Sequence, residues 1–377
     1  MARDPSIAYV LLRNAHFGPR LASSVELCVR DLVRHSRYAA STLVVCPKVE
    51  DPFDGIAVET VPEAGFGGNL AKAWSVGRML RRRGVDVAIV ENHLPVAALV
   101  ASVARLPVIL HSHAYEKAAA NRLKRIVRDA ELDRISGLAF VSEDCANRFL
   151  LNFPKARRPM RAVPNGLDMA EWSDAAPKEK TILSVGRALD DKGHVEAMAA
   201  IVRLLPSRPD WRARFILSAT DREPKTVQAL RESAARMQGR VAIETNLPYA
   251  EVKAAWEKSA VAMVLTKTPE PFGRTALEAL ASGAALLTSG LGGLAEVHGP
   301  HAQVANPADS EGVAVRLASL MDLPDLREKL ARAGRARVAS LYDIGAVAKR
   351  MDDFIEEVLA RPDPRRAAQA RAARASS

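Results

Sequence analysis

The sequence contains few cysteines and no close cysteine pair. Only three of its 377 residues are cysteine, at Cys28, Cys46 and Cys145. Their wide spacing excludes a disulfide framework and a zinc site built on Cys-x-x-Cys motifs. We therefore interpret all three as small hydrophobic residues of the core.

Long hydrophobic runs are also absent. No apolar stretch approaches the roughly 18 residues that a membrane-spanning helix needs. The apolar stretch at 7–12 is too short and wrongly flanked for a secretory signal. These absences predict a cytoplasmic protein, for which a peripheral position at the inner face of the plasma membrane stays open.

Aromatic residues make up only 5% of the chain, whereas its 54 Lys and Arg exceed its 44 Asp and Glu by ten. Because no nucleic-acid motif or set of stacking aromatics accompanies this charge, we predict no nucleic-acid partner. Segment 361–377 holds five arginines and one aspartate, so it carries +4 of the net +10. We predict that this segment is a disordered basic tail. The remaining excess fits a phosphate-bearing ligand or an anionic surface.

Short β-branched runs alternate with amphipathic helical stretches along most of the chain. Strands that are apolar on both faces and separated by helices predict parallel sheets covered by helices on both sides. The turn-rich stretch at 163–180 interrupts this rhythm once and is interpreted as a linker. The sequence therefore predicts an α/β protein with two doubly wound Rossmann-like domains facing a cleft. Ligands of such sheets bind at the carboxyl ends of the strands.

A glycine-containing turn follows the first strand of the second half. In TILSVGRALDDKGH (181–194), Gly186 and Arg187 end the strand, and Lys192 stands five residues later, just before a helix. Two cations beside a helix N-terminus are well suited to bind phosphate. The alternative is that both cations are solvated loop charges.

Two glutamates, Glu270 and Glu278, stand eight residues apart in KTPEPFGRTALEALASG (267–283). They bracket the turn at Phe272 and Gly273, which opens a helix. Carboxylates accept hydrogen bonds from vicinal hydroxyls, so the pair suits a sugar and a ribose. The alternative is a helix-surface charge at Glu278 and a helix-dipole partner at Glu270.

These motifs carry a family resemblance. The strand-GR-x4-KG element, the E-x7-E element in EPFGRTALE, the following segment at 279–297 and VPNGLD (163–168) resemble the retaining glycosyltransferases of family 4, also called glycosyl transferases group 1, which have the GT-B fold. The resemblance covers about residues 5–360. It is specific in the C-terminal half, where the motifs match in order, and follows mainly the alternation of elements in the N-terminal half.

The resemblance implies a domain organisation. It implies an acceptor-side domain over 1–165 and a nucleotide-sugar-binding domain over 166–341. A last helix over 342–360 would cross back to the N-terminal domain, the alternative being a surface helix of the second domain.

The resemblance also implies roles for individual residues. Arg187 and Lys192 would clamp the donor diphosphate, Glu278 would bind the ribose, and Glu270 would hold the donor sugar. Arg274 and Thr275 stand where the family usually has apolar residues, a departure that puts a polar group near the phosphate or marks a subfamily. The implied donor-binding set is completed by Gly186, Phe272 and Gly273 and, near the base, by Asn246 and Leu247.

Histidines end a strand of the first half. In LHSHAYEK, His111 and His113 point to the same face of the strand. Without a recognisable third ligand we predict no metal site. In the resembling family a histidine at this strand end faces the donor sugar, which implies a catalytic role for His113 and leaves His111 as a packed residue. The alternative is that both are structural.

The loop after the first strand resembles the acceptor-side loop of the family. Many members carry a Gly-Gly pair here, but this chain has Gly18 beside a proline. Arg13, His16 and Arg20 are candidates to bind an anionic acceptor, with ordinary loop charges as the alternative.

The resemblance implies a retaining, metal-independent hexosyltransferase. It would move a sugar from a nucleotide-diphosphate donor, a UDP-sugar by prevalence, to a hydroxyl of a glycan or lipid-linked acceptor in bacterial envelope polysaccharide or lipopolysaccharide synthesis. The nucleotide sugar is a substrate, so no cofactor is expected. The alternatives are a nucleotide-sugar epimerase of GT-B fold and, less favoured, a nucleic-acid-binding protein.

Two helical patterns are strongly basic, at 69–83 and 115–134. They are the candidates to meet an anionic membrane surface, as monotopic members of the resembling family do. Solvated outer helices are the alternative.

Overall fold

The protein is represented by a computed structural model. It describes residues 3–12, 15–19, 22–47, 49–61, 68–173, 177–219 and 224–361. Contacts within the chain define two compact units. Unit 1 is formed by Met1–Gly166 together with Ile344–Ser377, and unit 2 by Leu167–Asp343.

A seven-stranded parallel sheet forms the centre of unit 1. Its strands are β1 (Ile7–Val10), β2 (Thr42–Pro47), β3 (Ala57–Val61), β4 (Val87–Glu91), β5 (Val108–Ser112), β6 (Gly137–Phe140) and β7 (Met160–Ala162). The helices between them are α1 (Ser24–His35), α2 (Gly68–Arg83), α3 (Leu94–Ala104), α4 (Arg122–Leu132) and α5 (Glu143–Asn152). The strand order is β3-β2-β1-β4-β5-β6-β7. Every residue of β1, β4, β5 and β6 is buried, as expected for strands covered on both faces.

Unit 2 repeats the same architecture on six parallel strands. They are β8 (Glu179–Arg187), β9 (Arg212–Ser218), β10 (Val241–Thr245), β11 (Ser259–Val264), β12 (Ala285–Thr288) and β13 (Gln303–Val304). Its helices are α6 (His194–Leu204), α7 (Pro224–Ala235), α8 (Tyr249–Lys258), α9 (Arg274–Ala281), α10 (Gly293–His298), α11 (Ser310–Asp322) and α12 (Pro324–Leu341). The strand order is β10-β9-β8-β11-β12-β13. The predicted α/β class with two doubly wound sheets is confirmed.

In each sheet the strand order reverses at one point, between β1 and β4 in unit 1 and between β8 and β11 in unit 2. Loops that leave the carboxyl ends of two such strands run in opposite directions and open a crevice between them. Ligands of doubly wound sheets bind in this crevice. We call these two reversals the switch points of unit 1 and unit 2. The loops after these four strands are therefore the candidate ligand-binding loops.

The last helix, α13 (Ile344–Ala360), belongs to unit 1 and packs on α1. Ser36 Oγ donates a 2.7 Å hydrogen bond to Asp352, and the backbone N–H of Arg37 donates another at 2.9 Å. Both bonds end on a carboxylate that is only 2% exposed. These contacts satisfy the buried carboxylate and fix the helix on the end of α1.

One predicted helix has the wrong start, and two helices were not predicted. The helix predicted over 115–134 begins at Arg122, because the Asn121 side chain caps it, while Tyr115 OH donates to Asp144 and holds the preceding loop. Helices α10 and α12 were not predicted. Helix α12 contains Gly334, and a glycine weakens a helical pattern in the sequence. Glycine is needed at this position because a Cβ would lie 2.6 Å from Leu280 Cδ2.

The predicted disordered tail at 361–377 lies outside the described residues, apart from Arg361. Within the described part of the chain, every helix is too short or too polar to span a bilayer.

Candidate functional site

The loop after β8 carries two of the predicted cations on a fixed turn. Gly193 closes this turn with a φ of +71°, and a Cβ at this position would lie 1.8 Å from the carbonyl oxygen of Leu265. Only glycine combines that backbone conformation with so close an approach. The turn thus brings Lys192 against the loop that follows β11.

His194, the first residue of α6, stabilises the same turn through two hydrogen bonds to β8. Its Nε2 donates a 3.1 Å hydrogen bond to the carbonyl oxygen of Arg187, and its Nδ1 accepts a 3.0 Å hydrogen bond from Ser184 Oγ. Burial lowers the pKa of His194 to about 4, although the bond to the Arg187 carbonyl opposes this shift. The imidazole is therefore neutral near pH 7 and positions the end of β8.

Because His194 is buried as the neutral form, the protein is expected to lose stability in mild acid. An unfolded chain takes up the proton near pH 6.5, whereas the folded chain does so near pH 4. The stability linked to the neutral His194 side chain is fully present above pH 6.5 and is lost as the pH falls from 6.5 to about 4. The total loss is about 3 kcal/mol. Urea unfolding of wild type and His194→Asn between pH 4 and 7 checks this. An equal pH slope in both proteins would contradict it.

The loops after β8 and β11 are hydrogen-bonded to each other at the switch point of unit 2. Thr266 Oγ1 and the backbone N–H of Lys267 both donate to the carbonyl oxygen of Asp191, at 3.0 and 2.7 Å. The Lys267 ammonium also pairs with Asp190 at 2.8 Å. Asp190 and Asp191 therefore organise the loops.

The structure brings together three of the four residues predicted to be catalytic. Lys192 forms an ion pair with Glu270, and both side chains are about four-fifths buried. The backbone of Glu270 is fixed by the loop after β12, since it donates to Leu291 and accepts from Gly293 at 2.7 Å. Arg187 lies exposed on the same turn as Lys192, and its side chain has no hydrogen bond or ion pair with any residue in the described ranges.

Phe272 and Gly273 connect Glu270 to helix α9. The Phe272 ring is buried and packs edge-on against Tyr342, with centroids 5.5 Å apart. Gly273 has a φ of +101°, and a Cβ there would lie 2.3 Å from Leu294 Cδ2. The N-cap residue of α9 is Gly273, which has no side chain to cap the helix, and α9 begins with Arg274 and Thr275. That N-terminus can therefore contribute backbone N–H groups to an anion.

Glu278 is the acceptor of a buried polar cluster. Its Oε1 accepts a 3.0 Å hydrogen bond from Arg274 Nε and a 3.1 Å hydrogen bond from Tyr249 OH. The Arg274 and Glu278 side chains are 9% and 6% exposed. Arg274 thus pairs with Glu278, which accounts for a polar residue where the family usually has an apolar one. Sequence reasoning missed Tyr249, although it stands just after the predicted base-binding pair.

Asn246 and Leu247 follow β10, at the edge of the sheet in unit 2. Asn246 adopts a φ of +55°, and its side chain bonds both backbone groups of Ala219, at 2.9 and 3.0 Å. The side chain therefore extends the β9–β10 pairing.

Gly186 lies on β8, where a Cβ would be 3.2 Å from His194 Nε2.

In unit 1 the histidines meet an unpredicted carboxylate. Glu91 ends β4 and is the register partner of His111 on β5. Its Oε2 lies 2.8 Å from His113 Nε2 and 3.2 Å from His111 Nδ1. Burial raises the pKa of Glu91, but the two histidines outweigh this effect and lower it to about 2. No third ligand was recognisable in the sequence, but the strand register places the Glu91 carboxylate beside the histidines.

Of the acceptor-side residues, His16 and Gly18 are described, whereas Arg13 and Arg20 lie outside the described residues. The backbone N–H of His16 donates to Glu26 at 3.3 Å. A Cβ on Gly18 would lie 2.0 Å from the carbonyl oxygen of Asp51. Gly18 therefore serves a close backbone approach in unit 1.

Two family models match the chain. The model described as "Glycosyl transferases group 1" matches residues 170–337, and the one described as "Glycosyltransferase Family 4" matches residues 25–171. The first match contains the loops after β8, β11 and β12. The two matches are adjacent and together span most of both units.

Known relatives share part of the sequence or the fold. Glycogen synthase of Mycobacterium tuberculosis is 34% identical over 192 residues, which are 49% of this chain and 45% of that enzyme. The chain thus spans less than half the length of this curated relative.

Among solved structures, a glycosyltransferase from Rickettsia africae has a TM-score of 0.80 at 16% identity, covering 96% of this chain and all of that one. Anabaena HepE in complex with UDP and glucose has a TM-score of 0.75 at 18% identity, covering 93% and 99%. These likenesses show that the fold is of the GT-B class.

Proposed function

Because the chain belongs to the group 1 glycosyltransferases of family 4, we propose that it transfers a hexose from a nucleotide-diphosphate donor to an acceptor hydroxyl. The donor is a UDP-sugar, as in the HepE complexes with UDP and UDP-glucose. The acceptor is a glycan or a lipid-linked glycan of the bacterial envelope. The configuration at the anomeric carbon is retained.

The arrangement at the switch point of unit 2 carries this proposal. Arg187 and Lys192 supply two cations, and α9 supplies an N-terminus whose N-cap residue is a glycine, at the carboxyl ends of the strands where doubly wound folds bind ligands. Such a combination suits a diphosphate better than a neutral ligand. Glu270 and Glu278, on the adjoining loop and helix, then face the sugar and the ribose.

Donor binding would exchange one ion pair for another. The diphosphate competes with Glu270 for the ammonium of Lys192, because these two side chains form an ion pair. The released carboxylate can accept hydrogen bonds from the sugar hydroxyls. The ion pair therefore keeps both groups in place before the donor arrives.

In the transfer step, the bond between the anomeric carbon and the diphosphate oxygen breaks while the acceptor oxygen bonds to that carbon on the same face. The acceptor proton moves to the departing phosphate oxygen. Negative charge grows on the diphosphate, and Arg187 and Lys192 stabilise it without an obligatory metal. We assign His113 to the stabilisation of the reacting sugar.

A panel of nucleotide sugars tests this function. We expect one donor to raise the melting temperature of the protein and to be consumed in the presence of a glycan acceptor, with a product of retained configuration. The activity is expected to survive EDTA. An inverted product would refute the retaining mechanism, and loss of activity in EDTA would refute the metal-independent one. An altered sugar released from donor alone would identify an epimerase.

Two helices of unit 1 favour a lipid-linked acceptor. Helix α4 exposes Leu123, Ile126 and Val127 by 50–71%, and basic residues stand beside them in its sequence. Helix α2, which like α4 contacts α3, exposes Trp74 with the Arg78 guanidinium 4.7 Å from its ring centre. Apolar side chains beside cations suit an anionic membrane surface.

Replacing Leu123 and Ile126 with aspartate is expected to weaken binding to phosphatidylglycerol-containing vesicles at least about 10-fold, because two apolar side chains are no longer buried in lipid. Cosedimentation with vesicles of phosphatidylcholine, with and without phosphatidylglycerol, measures this. Leu151→Asp is the matched control, since Leu151 is 81% exposed at the end of α5. Equal loss in the control, or wild-type binding independent of phosphatidylglycerol, would contradict the docking surface.

A further inference from the structure

The cluster of Glu91, His111 and His113 is not explained by the transfer chemistry alone. Register pairing places Glu91 opposite His111 at the carboxyl ends of β4 and β5, and His113 follows two residues later. One ligand atom from each residue lies within 4.8 Å of the others. The side chains of Glu91, His111 and His113 are 2%, 1% and 7% exposed, so water contributes little to satisfying them.

His111 lies between two hydrogen-bond acceptors. Its Nε2 is 3.4 Å from the carbonyl oxygen of Val163, and its Nδ1 is 3.2 Å from Glu91 Oε2. A neutral imidazole has one N–H group and one lone pair, so it can donate to only one of them. If Nε2 donates to Val163, the lone pair on Nδ1 faces a carboxylate. This contact is repulsive unless a proton or a metal cation lies between the two atoms.

The hydrogen bonds of the cluster also leave room for a cation. Within the part of the chain that the structure describes, neither His111 Nδ1 nor Glu91 Oε1 has a hydrogen-bond partner, although both atoms are buried. Buried polar atoms without partners are rare in native proteins. A histidine that donates one ring N–H to a backbone carbonyl and presents the other nitrogen to a metal is the common arrangement in metal sites.

The spacing of the atoms suits a small transition metal. Zn²⁺ binds histidine nitrogen and carboxylate oxygen at about 2.0–2.2 Å in tetrahedral geometry, which puts neighbouring ligand atoms about 3.3 Å apart. Glu91 Oε2 lies 3.2 Å from His111 Nδ1 and 2.8 Å from His113 Nε2. Both separations are within about half an ångström of that value, and all three ligand atoms lie within 4.8 Å of one another, so a fourth position would be left for water.

We propose that Glu91, His111 and His113 form a binding site for a divalent transition metal of the Zn²⁺ type, with His111 Nε2 anchored on Val163. The metal would be coordinated by His113 Nε2, whose lone pair would then not be available to the substrate. If His113 acts in the transfer as proposed above, bound Zn²⁺ inhibits the enzyme. The inhibition depends on the proposed function, whereas the binding site does not.

Calorimetric titration of metal-stripped, untagged protein with Zn²⁺ tests the site. We expect one equivalent to bind, and Glu91→Gln and His111→Gln each to weaken binding about 100-fold or more, beyond the loss typical of outer-shell changes. His301→Gln, in unit 2, is the matched control and should bind as wild type does. Circular dichroism verifies that each variant is folded.

Absence of saturable Zn²⁺ binding in the wild-type protein would overturn the proposal, whatever the variants do. Undiminished binding by folded Glu91→Gln would also overturn it. In the activity arm, one equivalent of Zn²⁺ should abolish transfer, and EDTA should restore it. Zn²⁺ binding at these residues in a protein without transferase activity would support the site and count against the proposed function.

Discussion

Replacing Arg187 with alanine is expected to lower the turnover of the proposed transfer about 100-fold or more. The guanidinium would stabilise the charge that grows on the departing diphosphate, and removing one such group costs about 3–4 kcal/mol of transition-state stabilisation. Arg187 is exposed and has no side-chain partner within the described ranges. The variant should therefore fold as wild type does, which makes the kinetic loss interpretable.

Steady-state kinetics with the preferred donor measure this effect, because a group that acts on the transition state lowers kcat more than it raises KM. Arg231→Ala removes another exposed arginine of unit 2, on α7, and serves as the matched control. Arg187→Lys should recover part of the activity, since it keeps the charge and loses the fork of donors. Near-wild-type turnover in Arg187→Ala would remove this residue from the mechanism.

The turn that carries Arg187 and Lys192 could be predicted from the sequence because its signals are local. The strand, the glycines and the start of α6 lie within fourteen residues, from Thr181 to His194. What could not be predicted is why the turn is rigid. Gly193 is required by the carbonyl of Leu265, which is distant in sequence.

The cluster in unit 1 shows a second limit of prediction from sequence. The β-branched runs VDVAIVEN (85–92) and PVILHSHA (107–114) each predict a strand, and parallel neighbours bring their carboxyl ends together. Glu91 could have been found as a partner of His111 if these strands had been paired. The pairing follows from the sheet order, which alternation alone does not fix.

The ion pair at the start of α9 shows a third limit of prediction from sequence. Arg274 and Glu278 are separated by four residues, the spacing of neighbours on one helix face. On a solvated surface such a pair contributes little. Its burial, and the hydrogen bond from Tyr249, arise because α8 packs against α9. The sequence contains the spacing, but only the tertiary packing makes the pair energetically important.

Replacing Glu278 with alanine is therefore expected to lower the free energy of unfolding by about 3 kcal/mol or more. The change removes the 3.0 Å carboxylate partner of the Arg274 guanidinium, and removing one member of a buried ion pair costs about 3–5 kcal/mol. Tyr249 OH would lose an acceptor as well. Donor affinity should fall too, since Glu278 is the proposed ligand of the ribose.

A double-mutant cycle separates the structural part of this effect from the binding part. Arg274→Ala combined with Glu278→Ala should cost less stability than the sum of the single changes, with a coupling of at least about 1 kcal/mol, because the two side chains contact each other directly. Glu278→Gln keeps the shape and an acceptor oxygen, so it should retain more stability than alanine while still binding the nucleotide sugar more weakly. Urea unfolding and donor titration measure the two quantities on the same proteins. Additive stability losses would mean that the Arg274–Glu278 contact contributes nothing, and unchanged donor affinity in Glu278→Gln would remove the carboxylate from the ribose site.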